Sequence, residues 1–146
     1  MKIMLPVQDT LTIYKDNPHT APRFAVYNID NIDDKIHFSL HSIIENPIYN
    51  FKNEGFTEDE KQCNCKKELQ ANIMHRCEHY SLLESINDCT YLLAKKYCKN
   101  TQNSMKKAGI KVYKIPPIIN KIDIAIKNFL IGASLVPTIQ NTYNAS

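Results

Sequence analysis

Apolar and polar positions change their period along this chain, from about two near the front to about 3.6 near the back. Lys2–Val7 (KIMLPV) is an almost unbroken apolar run, the signature of a strand buried on both faces. Residues 8–22 carry turn formers, Asp16, Asn17, Pro18 and Pro22 among them, and predict a loop that also holds His19. Arg23–Ile29 alternates, with Phe24 and Val26 on one face and Ala25, Tyr27 and Ile29 on the other, as a strand does. Asn31–Asp34 predicts a turn into a third strand over about 35–44, giving a hairpin. The segment 45–55 reads as loop.

From Thr57 to Asp88 there is neither Gly nor Pro. Thr57-Glu58-Asp59-Glu60 fits a capping box, and His79, Leu82, Leu83 and Ile86 recur at helical spacing. Cys89–Ala94 predicts a fourth, buried strand. Asn100 or Thr101 can cap a short helix that runs to Ala108 and stops at Gly109. Ile110–Ile115 predicts a fifth strand, closed by Pro116-Pro117. Asn120 is the expected cap of the clearest helix, where Ile122, Ala125, Ile126, Phe129 and Leu130 make one apolar stripe that ends at Gly132. Residues 133–146 read as a flexible polar tail.

Three strands followed by strand–helix–strand–helix predict an α/β fold. The sheet would be mixed and five-stranded, an antiparallel meander leading into parallel crossovers, with helices on its faces. One domain is expected over residues 1–132, with a long inserted connection at about 45–78.

Composition narrows the function. The 146 residues suffice for a real core, and 43% hydrophobic with 23% charged residues describes a soluble globule. A net charge of +3 with no dense Lys/Arg tract argues against nucleic acid as partner. No run approaches the roughly 18 apolar residues of a membrane span. Too few apolar residues precede Pro6 and Gln8 for a signal peptide, so a cytoplasmic location is expected. There, five cysteines point to metal or free thiols rather than to disulfides.

The chemistry is concentrated in one stretch, where Cys63, Cys65, His75, Cys77 and His79 gather five soft donors. Thiolate with imidazole suits zinc, copper or iron and suits magnesium or calcium poorly. On one uninterrupted helix Cys65 and His75 would sit roughly 15 Å apart along the axis, too far to share an ion. A common site therefore predicts a bend between them, or a homodimer in which two chains supply ligands. The plainer reading makes the cysteines small buried hydrophobes and the histidines solvated surface residues. Cys98 lies just before a helix start, where the helix dipole favours thiolate. Lys95, Lys96 and Lys99 would reinforce that effect and hold an anionic cluster, or else form a solvated basic turn. Cys89 reads as core. A two-metal nuclease needs carboxylates at the sheet centre, and neither KIMLPV nor CTYLLA contains one. There is no phosphate loop or nucleophile elbow either, and no enzyme is expected.

Three segments, MKIMLPV, TAPRFAVYNID and KKAGIKVYKIPP, resemble the dinitrogenase iron–molybdenum cofactor biosynthesis family over about Met1 to Leu130. The resemblance implies a ribonuclease H-like fold and a small domain that binds or carries a metallocluster. Ala21-Pro22 match the end of that family's loop before the second strand, and His19 lies near its histidine, which makes His19 a candidate ligand contact. Where the family has a glycine-rich turn, this chain has Lys95–Asn100 without glycine. An iron–molybdenum or iron–sulfur-type cluster is the implied guest, with zinc as the alternative. The implied partners are proteins of metallocluster assembly or their clients. A regulatory or interaction domain of the same fold, without the guest, is the second reading.

Overall fold

The computed structural model describes residues 1–8, 11–33, 35–46, 61–62 and 88–132. Its strands are β1 (Lys2–Val7), β2 (Arg23–Ile32), β3 (Lys35–Glu45), β4 (Tyr91–Ala94) and β5 (Lys111–Lys114). Two helices are described, α1 (Lys99–Lys107) and α2 (Ile122–Gly132), with a 3-10 turn at Pro18–Thr20. The strands form one five-stranded sheet in the order β3-β2-β1-β4-β5. β1–β2 and β2–β3 are antiparallel, whereas β1–β4 and β4–β5 are parallel. This is the expected meander followed by parallel crossovers. β2 runs three residues further than its alternation suggested, and the turn tightens onto Asp33, at φ 52.

The alternation of β2 sorts its side chains between two cores. Ala25 and Ile29 join Ile3, Leu5 and Val7 of β1 under α2, which contributes Ala125, Ile126, Phe129 and Leu130. Phe24 and Val26 join Met4 and Leu92 on the opposite face, with Met105 of α1. Helices therefore cover both faces, which is why β1 is apolar throughout.

α1 ends as its sequence asks. The Gly109 N–H bonds the Lys106 carbonyl at 3.0 Å and the Ile110 N–H bonds that of Met105 at 2.8 Å, a Schellman pair. Gly109 takes the required left-handed conformation, at φ 78. Ile110 and Met105 are both buried, so the apolar contact of that motif is present too. The start of α2 departs from expectation. The Ala125 N–H bonds the Lys121 carbonyl at 3.0 Å, which makes Lys121 the cap residue. Asn120 is instead bonded to Lys95.

Pro6 decides where the sheet opens. β1 pairs with β4 only at Ile3↔Tyr91 and Met4↔Leu92. The next rung needs an N–H at position 6, and proline has none. The Pro6 carbonyl is taken by the Tyr14 N–H at 2.9 Å, and Gln8 N–H reaches the Thr12 carbonyl at 2.9 Å. Val7 and Ile13 form the bridge between those bonds. From there on, the flank of β1 belongs to residues 12–14, while β4 continues beside β5 to Ala94. The carboxyl ends of β1 and β4 part.

Candidate functional site

Among the described residues, two hollows open at the carboxyl ends of the parallel strands, one on each side of Lys95-Lys96. In an open α/β sheet this is the place where ligands bind, outside the strand ends and where the connections diverge. The divergence here is between β1, which returns to β2, and β4, which goes on to β5.

The first hollow, of about 430 Å³, lies between the end of β4, the start of α1 and the end of β5. Lys95, Lys96, Lys99 and Lys114 line it together with Gln62, Tyr97 and Cys98, and among the described residues none that lines it is acidic. Cys98 is the N-cap residue of α1 and is 5% exposed. Its Sγ lies 3.4 Å from Oγ1 of Thr101, itself buried in the first turn. A helix start carries partial positive charge, and four ammonium groups add to it, so the field in this hollow favours anions. Neither Cys89 nor Cys98 is in a disulfide. Cys89 belongs to the core, as read: burial, with the Asp88 carboxylate adding to it, pushes its thiol up to about 11.

Gln62 joins the hollow to the loop after β1. Its side-chain carbonyl accepts from the Lys96 ammonium, and its amide donates to Asp16 Oδ1 at 3.0 Å. One residue earlier, the Lys61 carbonyl receives the backbone N–H of Asn17 at 3.1 Å and its side-chain amide at 2.8 Å. Nothing in the sequence marks Gln62, because its partners lie far away along the chain.

The second hollow, of about 580 Å³, fills the gap between β1 and β4. Gln8, Thr12, Ile13 and Lys15 form one wall, and Pro117 and Asn120 form the other, with Lys95 and Lys96 between them. Lys95 is held there, its ammonium donating to the Pro117 carbonyl at 3.2 Å and to the Asn120 side-chain carbonyl. Partial burial lowers its pKa.

The structure thus brings Lys95, Lys96 and Cys98 together. His19 lines neither hollow. It is 1% exposed in the 3-10 turn, and its carbonyl accepts from the Asn46 side chain at 2.8 Å. Cys63, Cys65, His75, Cys77 and His79 lie outside the described residues, as do the tail 133–146 and all of the helix expected from Thr57 onward except Lys61 and Gln62, which are helical. Among the described residues no group of three or more His, Cys, Asp or Glu could hold a metal ion. No helix among them is long and apolar enough to cross a membrane.

No family model matches the chain, and no curated protein matches it. Solved structures do. The crystal structure of PH0822 superposes with a TM-score of 0.53 at 12% identity, over 90% of this chain and 92% of that one. The NMR structure of a Thermotoga protein, described as a candidate NifB protein of the DUF35 family, gives 0.50 at 19% identity, over 90% of this chain and 88% of that one. Both likenesses are of the fold.

Proposed function

We propose that this protein is a non-enzymatic binder of an anionic metal–sulfur cluster, of the iron–sulfur or iron–molybdenum type, acting as a carrier or accessory in metallocluster assembly on a ribonuclease H-like scaffold. The observation that carries this reading is the first hollow, where one buried thiol stands among four lysines at a helix start. A thiolate ligates iron, and ammonium groups offset the negative charge of a sulfide-bridged cluster without competing for the metal. The CNC segment begins at Cys63, the residue next after Gln62, which lines that same hollow. Cys63 and Cys65 would add thiolates to Cys98, with His75, Cys77 and His79 as further donors. The NifB description of the Thermotoga neighbour points the same way as the family resemblance in the sequence. Incomplete, partly exposed ligation suits a carrier, since the guest must leave again.

Anaerobic reconstitution of the whole chain with ferrous iron and sulfide tests the reading. Wild type should turn brown and retain iron through gel filtration. C98S should lose most of the iron, and C63S/C65S should lose it as well. Separately, replacing His75, Cys77 and His79 by alanine should lower the retained iron. Wild type that keeps no iron would leave an interaction domain of the same fold. Stoichiometric zinc in the purified protein, with no uptake of iron, would mean a structural site instead.

A further inference from the structure

The hollow between β1 and β4 differs in chemistry from its neighbour. Among the described residues its lining holds no Cys or His to take a soft metal and no carboxylate to balance a cation's charge. It offers Lys15 at the rim, Lys95 and Lys96 at the end of β4, and the amide side chains of Gln8 and Asn120. Ile13, 5% exposed, and Pro117 supply apolar wall. About 580 Å³ falls within the usual range of small-molecule sites, roughly 300–1,000 Å³.

We infer that this hollow binds a small organic anion, its phosphate or carboxylate oxygens held by Lys15 and Lys95 and its carbon skeleton lying on Ile13 and Pro117. Lys95 is positioned in advance, because Pro117 and Asn120 hold two of its three N–H donors and leave the third for the ligand. Preorganisation of this kind lowers the entropic cost of binding. Rigid surroundings help as well: the β1–β4 ladder stops at Met4↔Leu92, and residues 12–14 are pinned to β1.

Amide NMR titration of the full chain at low salt, with succinate and with inorganic pyrophosphate as probes, tests the inference. The expected result is saturable shifts at Gln8, Lys15, Lys95 and Asn120 with at least one probe. The tighter probe then tells carboxylate from phosphate. Lys15→Gln should weaken binding about tenfold, the effect of losing one charge-assisted contact. Lys111→Gln, on the outer strand, should leave it unchanged. Shifts that never saturate, or equal weakening by K15Q and K111Q, would mean diffuse charge attraction and overturn the inference. Cys98→Ser should not affect this binding, so failure of the cluster reading and failure of this one are told apart.

Discussion

Gln62 and Lys96 meet at the mouth of the first hollow, side-chain carbonyl to ammonium. The same Gln62 amide group donates to Asp16, so a neutral side chain relays between a cation and an anion that do not touch directly. Through it, the long connection between β3 and β4 is tied both to the loop after β1 and to the end of β4. Replacing Gln62 by alanine removes both bonds at once. The expected loss is about 1 kcal/mol of unfolding free energy, since the partners regain water in its place. Urea unfolding of Q62A measures it, and an unchanged midpoint would show that the relay contributes nothing in solution.

Two glycines are expected to fail for different reasons. At Gly109 a methyl group meets nothing within 4 Å, so Gly109→Ala should cost only the left-handed backbone, about 1 kcal/mol. At Gly132 a methyl group would overlap the Tyr113 hydroxyl and come within 3.0 Å of the ring carbon bearing it. Gly132→Ala should therefore cost about 1–3 kcal/mol by overpacking. Tyr113 also packs edge-on against Phe129, with centroids 5.3 Å apart, which limits its retreat. Removing the hydroxyl relieves the overlap, so a double-mutant cycle should find G132A less costly in a Y113F background. Strict additivity would contradict the contact.

Asp88 sets part of the acid limb of stability. Its carboxylate meets the Lys2 ammonium at 2.6 Å, and that bond, above all, holds its pKa below the usual value. A lowered folded pKa means stability that is present above the unfolded carboxylate value and lost as pH falls through the folded one. Asp88→Asn should flatten the acid limb slightly and leave the alkaline limb alone, as thermal unfolding between pH 2 and 6 will show. The pair is surface-exposed, so the effect should shrink with added salt.

The next residue acts with the opposite sign. Burial holds the Cys89 thiol near 11, above its ordinary 9.0, and its contribution is full below the ordinary value and lost as pH rises through about 11. Cys89→Ala should therefore lose less stability than wild type between pH 9 and 11. In native protein near pH 8, Cys89 should resist iodoacetamide and become labelled only after denaturation. Rapid labelling in the folded state would refute the burial.

The five strands and α2 were legible because each carries a local pattern, a period of two or 3.6 or, in β1 and β4, a short apolar run. The alternation of Phe24 to Ile29 predicts its sorting between two cores, and the stripe from Ile122 to Leu130 predicts the buried face of α2. Gly109 was legible for the same reason, since the backbone angle it adopts is nearly its own. Asn120 was misread because a cap is a local expectation, and Lys95, bonding it from another strand end, overrides it. Lys95 and Lys96 had two readings in the sequence, and only the approach of Gln62 and Asn120 shows that they line hollows rather than a bare turn. Gln62 carried no signal. Reading Lys2–Val7 as one apolar run passed over Pro6, although a proline inside a buried strand marks a rung that will not form.

The opening beside β1 follows from a main-chain donor that Pro6 cannot supply, and so it does not depend on which side chains border it. A residue with an N–H at that position would restore the donor that the next rung lacks, whatever lysines stood around it. The pyrrolidine ring works as a permanent wedge in the sheet. Chemistry at its rim can be exchanged, amino acid by amino acid, at little expense to the architecture beneath.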